Sequence, residues 1–283
     1  MARLPDQPLT GSRLADLWLR LASAVVLGPV ALAAAWLGGT PFAIVCAVMG
    51  VAITWEWNGI TRQKRRDAAT IAGMAGVAAA VVALLLHGVL SAVLVLGAAA
   101  VAAHVLSPRP RSVPFGAGAA VIYGGLPTLS LVVLRGDSTI GLICVFWLFA
   151  VVWAGDVGAY FTGRLVGGPK LWRRVSPNKT WSGAVGGTVA AFAASSILLY
   201  FSPGVAPVPF FLPVVLSAVA QAGDLAESAL KRHFGAKDSS RLIPGHGGVM
   251  DRVDGLAAAA VVGVLIGMAR AGADHSAGGL IAW

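Results

Sequence analysis

Ser228–Asp254 reads SALKRHFGAKDSSRLIPGHGGVMDRVD. Lys231, Arg232, Lys237, Asp238, Arg241, His246, Asp251, Arg252 and Asp254 all fall within it. On either side the chain turns apolar, through Phe210–Ala222 before it and from Gly255 onward after it. Each flank is apolar enough to be a membrane span. A dense polar stretch between two such runs calls for a chemical explanation, and the runs themselves decide the fold class.

Apolar residues make up 57% of the 283 residues and charged residues 12%, with a mean hydropathy of +0.81. Soluble domains carry about 25% charged residues, so the composition excludes an ordinary soluble domain. The net charge is +9. In a soluble chain that would point to nucleic acid. Here it follows from the Lys/Arg bias of loops on one side of a membrane, with a smaller share for recognition of anionic substrates. No nucleic-acid partner is expected. Cys46 and Cys144 sit in apolar runs without metal or disulfide spacing.

Apolar runs fall at about Leu17–Leu37, Pro41–Trp57, Ala68–Leu86, Gly88–Leu106, Phe115–Leu134, Thr139–Ala154, Trp181–Tyr200, Val208–Ala222 and Val253–Ala269. At roughly 20 residues per crossing, they predict an all-α polytopic membrane protein with about nine transmembrane helices. The first run follows Arg13 and Arg20 and is long for a signal peptide, so it reads as an uncleaved span. Basic residues cluster at Arg62–Arg66, Arg109–Arg111, Arg164–Lys179 and Lys231–Arg252. With nine spans these four clusters share one side with Arg3 and Arg13, leaving Arg135 and Arg270 opposite. The positive-inside bias then makes the N-terminus cytoplasmic. The expected organisation is a cytoplasmic segment 1–16, N-terminal helices over 17–134, and a C-terminal catalytic region 135–283 with cytoplasmic loops 164–180 and 231–252.

Ionisable groups at membrane depth are costly and therefore functional candidates. Glu56, Asp156, Asp224 and Glu227 lie at or near span ends. Asp224, Glu227, Ser228 and Lys231 follow i, i+3, i+4, i+7 spacing, one polar stripe on a helix. That stripe is either part of a site or a snorkelling helix end with an internal ion pair. In Ile243–Gly248 (IPGHGG), Gly245, Gly247 and Gly248 permit close backbone approach, and successive amides in such a turn can cradle phosphate. His246 can hydrogen-bond a phosphate or ligate a metal. Asp251 and Asp254, spaced i, i+3, begin the last apolar run. Such a pair suits a hard divalent cation that bridges to phosphates, or favours the helix dipole. Asp156 and Tyr160 share a helix face ahead of a basic loop containing Lys170, Arg173, Arg174 and Lys179. Ser176 or Thr180 can cap the helix that follows. No G-x-x-x-x-G-K-[ST] loop is present, which argues against a P-loop nucleotide site. The inventory fits metal-assisted phosphoryl or nucleotidyl transfer at a membrane surface.

The set Ser228-x-x-Lys231-Arg232-x4-Lys237-Asp238-x4-Ile243-Pro244-x-His246-Gly247-Gly248-x-x-Asp251-Arg252-x-Asp254 resembles the signature of the phosphatidate cytidylyltransferases (CDP-diacylglycerol synthases). Ser176–Gly187 (SPNKTWSGAVGG) is similar to that family's second motif, usually SPKKTxEG. Asn178 replaces a Lys and Ser182 a Glu, while Ser176, Lys179 and Thr180 match. The resemblance implies that CTP and phosphatidate give CDP-diacylglycerol and pyrophosphate for phospholipid synthesis, at the cytoplasmic face of a bacterial inner (plasma) membrane. It implies magnesium (Mg2+), as one or two divalent cations, with room for a monovalent ion. Asp224, Asp251, Asp254 and, as a further candidate, Asp156 would hold metal. Asp224, Lys231, Arg232, Asp251 and Arg252 would form the catalytic set. Ser176, Lys179, Thr180, Ser228, Lys237, Asp238, His246, Gly247 and Gly248 would contact substrate phosphate. The lipid bilayer is a partner, and a homodimer is compatible with the sequence.

Three other readings compete. Asp251-x-x-Asp254-Gly255 shares the beginning of the CDP-alcohol phosphotransferase motif, but Ala259 stands where Arg is required and the later acids are missing. A CTP-dependent lipid or polyprenol kinase would release CDP instead of pyrophosphate. A transporter would gather polar residues near the bilayer midplane on broken helices, whereas here they gather at one surface.

Overall fold

The computed structural model describes residues 25–107, 116–136, 138–202, 205 and 208–283. The first expected span is seen only from Val25. Its start, the Arg3/Arg13 segment and the Arg109–Arg111 cluster lie outside the described residues. The helices are α1 (Val25–Leu37), α2 (Gly39–Thr61), α3 (Ala68–His87), α4 (Val89–Leu106), α5 (Ala117–Arg135), α6 (Thr139–Leu165), α7 (Trp181–Tyr200), α8 (Phe211–His233), α9 (Met250–Ala271) and the short α10 (Ser276–Ile281). Seven of them, α2–α7 and α9, are long and apolar enough to cross a membrane. The protein is an all-α polytopic membrane protein. α8 falls outside the seven because its last turns carry the polar stripe of Asp224, Glu227 and Lys231.

Two local features differ from the expectation. The basic loop after α6 folds into an antiparallel hairpin of β1 (Lys170–Trp172) and β2 (Ser176–Thr180). α6 also runs on past Ala154 to Leu165, giving 27 residues. At 1.5 Å per residue that is about 40 Å, longer than the roughly 30 Å of hydrocarbon it would cross. The boundary between the runs Ala68–Leu86 and Gly88–Leu106 is a break at Gly88, whose φ of 82° ends α3 and starts α4.

Chain reversals bring four ends to one face: that of α2, that of α6 with its hairpin, that of α8, and the start of α9. α6 and α7 pack closely, and glycines permit it. A Cβ on Gly187 would lie 2.6 Å from the Gly155 carbonyl oxygen, and one on Gly183 would lie 2.8 Å from that of Ala159. Small residues let helices approach where lipid supplies no hydrophobic drive. This contact holds the hairpin over the end of α6. On the opposite face, Arg135 is buried and donates to the carbonyls of Ala35, Trp36 and Gly136. It ties the α5–α6 turn to the α1–α2 break.

Candidate active site

The hairpin presents Lys179 and Thr180. Thr180 Oγ1 accepts from the Gly183 amide (3.1 Å) and so caps α7. The capping choice between Ser176 and Thr180 is thereby decided, since Ser176 sits in β2 opposite Trp172. Ser182, where the related motif has Glu, donates its hydroxyl to the Gly167 carbonyl and lies 3.0 Å from Thr180 Oγ1. It fastens the loop after α6 to α7.

A cavity of about 620 Å³ opens between α6, the hairpin, α7 and α8. Asp156, Tyr160, Arg164, Lys170, Asn178, Lys179, Thr180, Gln221 and Asp224 line it. Lys179 pairs with Asp224 across it, each side chain 30% exposed. Ser228 Oγ donates to Asp224 Oδ1 at 3.4 Å. Asp254 lies within electrostatic reach of both Asp224 and Asp156, as does Arg252 of Asp156. Three carboxylates thus share one neighbourhood, with Lys179 and Arg252 compensating Asp156 and Lys231 compensating Asp254.

The rest of the polar stripe turns elsewhere. Lys231 is buried and donates to Glu227 Oε1 (2.9 Å) and Asp251 Oδ1 (2.6 Å). Tyr123, its ring tilted against Trp57 with centroids 4.7 Å apart, donates to Glu227 Oε2 at 3.2 Å. Asp251 Oδ2 accepts from the Ser239 amide, the Ser239 hydroxyl and the Gly248 amide, each at 2.8 Å. Both Asp251 oxygens therefore have protein partners. Neither Lys231 nor Asp251 lines the cavity.

The glycine turn departs from the phosphate-cradle expectation. The His246 and Gly247 amides donate to the Ile243 carbonyl (3.0 and 3.1 Å), and the Gly248 amide is taken by Asp251. Gly245 and Gly247 have φ of 75° and 86°, which this tight closure requires. The His246, Gly247 and Gly248 amides are spent on holding the shape of the turn and of the start of α9. Arg232, Lys237 and Asp238 are exposed around it, with Arg232 donating to the Ala236 carbonyl at 3.0 Å.

Sequence reading named Glu56 as an ionisable candidate but gave it no site role, and passed over Ser239 and Ser240. Glu56 is fully buried. It accepts from Ser240 Oγ (2.6 Å), Met250 N (2.7 Å) and Val249 N (2.9 Å), and lies 3.1 Å from Ser239 Oγ. A single carboxylate inside an apolar helix was the available signal; its partners, far along the chain, had none.

Among the described residues no three His, Cys, Asp or Glu side chains converge to hold a metal ion. The oxygen donors Asp156, Asp224 and Asp254 still fit magnesium. That ion is commonly bound through one or two carboxylates, with substrate phosphates and water completing its shell. Asp251, whose two oxygens hold four hydrogen bonds of 2.6 to 2.8 Å, fits less well than Asp224, whose partners are the partly exposed Lys179 and Ser228 at 3.4 Å.

Fold and site together define a polytopic membrane protein with a charged cavity at one membrane face. The sequence pattern of the cytidylyltransferase family matches residues 18–268, and the chain belongs to that family. It is 44% identical to the phosphatidate cytidylyltransferase of Brucella suis biovar 1 (strain 1330) over 257 residues, 90% of this chain and 94% of that protein. The Brucella abortus biovar 1 (strain 9-941) protein of the same name matches equally, at 44% over the same shares. The Bacillus subtilis (strain 168) phosphatidate cytidylyltransferase is 41% identical over 139 residues, 48% of this chain and 51% of that protein.

Proposed function

We propose that this chain transfers the cytidylyl group of CTP to phosphatidate, forming CDP-diacylglycerol and releasing pyrophosphate. The observation that carries the reading is the cavity at one membrane face, where Lys179 and Asp224 meet beside Asp156, with Asp254 within electrostatic reach behind them, in a chain similar along 90% of its length to phosphatidate cytidylyltransferases. A phosphatidate oxygen attacks the α-phosphorus of CTP. The new bond joins that oxygen to phosphorus, and the bond from the α-phosphorus to the bridging oxygen of pyrophosphate breaks. The lipid phosphate is already anionic, so positioning and charge neutralisation dominate.

Lys170, Lys179 and Arg164 on the cavity wall, with Arg252 at the start of α9, meet the triphosphate and the lipid phosphate. Asp156, Asp224 and Asp254 would hold magnesium, which supplies charge neutralisation on the phosphates. Lys231 and Asp251 act from behind this wall, by fixing α8 against α9. Tyr160, Phe161 and Leu165 are exposed at the C-terminal end of α6, a surface suited to the acyl side of the substrate. Arg62–Arg66, the hairpin and the loop 231–252 share the site's face, with Arg135 and Arg270 opposite. This asymmetry supports a cytoplasmic site, and bacterial relatives support the inner membrane.

The test is incubation of purified protein with CTP, phosphatidate and magnesium. Lipid-dependent release of pyrophosphate is expected. Release of CDP instead would make the chain a lipid kinase, and absence of either product under several lipid conditions would refute the reading.

A further inference from the structure

We propose that Glu56 is a positioning residue, which sets the start of α9 and so the placement of Arg252 and Asp254 beside the cavity carboxylates Asp156 and Asp224. The first amides of a helix have no partner within it, and the N-cap residue of α9, Val249, offers no side-chain cap. Glu56, from α2, takes the amides of Val249 and Met250 instead. A carboxylate there also matches the positive end of the helix dipole. The same group takes the Ser240 hydroxyl at 2.6 Å, so both ends of the 240–250 loop are tied to one side chain. Ser239 Oγ has one proton and two carboxylate neighbours. It serves Asp251 at 2.8 Å ahead of Glu56 at 3.1 Å.

A second grip comes from the RQKRR segment. Arg65 lies over the Trp55 ring (4.3 Å to its centroid) and donates to the Ser239 carbonyl at 3.3 Å. The N-terminal half thus holds the signature loop that the C-terminal half supplies. The catalytic region 135–283 is incomplete without it.

This geometry uses both oxygens of Glu56 as acceptors. Glutamine has the same shape but a single acceptor oxygen, so its NH2 group would face either the Val249 or the Met250 N–H. Aspartate is a methylene shorter and cannot reach both ends of the loop.

The experiment uses the full chain in lipid–detergent micelles, comparing Glu56→Gln, Glu56→Asp and Ser240→Ala with the unmodified protein. The kinetic readout rests on the cytidylyltransferase reading; amide hydrogen exchange across residues 239–250 does not. For Glu56→Gln the expected result is a KM for CTP raised about tenfold, the loss of one or two charge-assisted hydrogen bonds, with faster exchange at Val249 and Met250 and unchanged exchange in α6. Ser240→Ala should do the same to a smaller extent, about threefold in KM. A purely structural residue would lower the amount of active protein and leave KM alone. An unchanged KM with unchanged local exchange overturns the proposal. If Glu56→Gln does not fold, Ser240→Ala decides on the same criteria. If the unmodified protein makes no pyrophosphate, the activity reading fails while the exchange comparison still judges Glu56.

Discussion

Asp251→Asn separates two roles that sequence alone leaves together. As a metal ligand, Asp251 would be needed for turnover while the fold stayed intact. As an organiser it is needed for both. In the structure its Oδ1 pairs with Lys231 at 2.6 Å, and its Oδ2 takes three donors at 2.8 Å. Asparagine can keep its oxygen towards Ser239 and Gly248, but its NH2 then faces the Lys231 ammonium. One charge-assisted bond is lost, and Lys231 keeps only Glu227. Removing one partner of a buried pair costs about 3–5 kcal/mol, and a hydrogen bond to a charged group contributes about 1.5–3. With Glu227 retained, about 2 kcal/mol is expected. By the soluble-domain scaling this lowers the melting temperature by about 4–8 °C. The misplaced start of α9 should reduce turnover more than about 100-fold. The assay pairs thermal unfolding in detergent with pyrophosphate release, and adds Lys231→Met and the double variant. A coupling of about 2 kcal/mol between the two positions is expected. An unchanged melting temperature with lost turnover would refute the organiser argument and return Asp251 to the metal. Full turnover would remove it from both roles.

Lys179→Ala should reduce pyrophosphate release more than about 100-fold while leaving stability within about 1 kcal/mol, because its pair with Asp224 is partly exposed; a large loss of stability would argue for a structural pair. Gly187→Val should abolish monodisperse behaviour on size-exclusion chromatography, since a Cβ there meets the Gly155 carbonyl at 2.6 Å. Gly97→Ala, with open space around it, should not. Burial pushes the Asp67 carboxyl up, but hydrogen bonds from Thr70 and Arg62 outweigh it and hold the pKa below its ordinary 3.8. Its contribution is therefore present above pH 3.8 and lost as pH falls below that value. The stability gap between the unmodified protein and Asp67→Asn should accordingly be constant from pH 7 to 5 and close towards pH 3 in thermal melts.

Hydropathy is local, and so the helical spans were readable from the chain. So was the separation of charge between faces, which needs only their order. The stripe of Asp224, Glu227, Ser228 and Lys231 was legible as a helix face. What each member meets was not. Asp224 turns to Lys179 on the hairpin, whereas Lys231, two turns on, turns inward to Glu227 and Asp251. The hairpin itself was hidden, because five residues of β2 carry no alternation strong enough to announce a strand. The glycine turn advertised free amides, and only the folded chain spends them on Ile243 and Asp251.

The sequence by itself determined the membrane class and the family, together with the polar segments that make up the site, because these depend on composition and on residues close together in the chain. Only the tertiary structure decided how the polar segments share the work. Asp156, Asp224 and Lys179 meet at the cavity because α6, the hairpin and α8 converge there. Glu56 secures the start of α9 from almost 200 residues away. A buried carboxylate must find its donors wherever folding brings them, and no local pattern records where that will be. The stretch Ser228–Asp254 therefore names most of the charged groups, while α2 and the hairpin bring Glu56 and Lys179 to them from outside it.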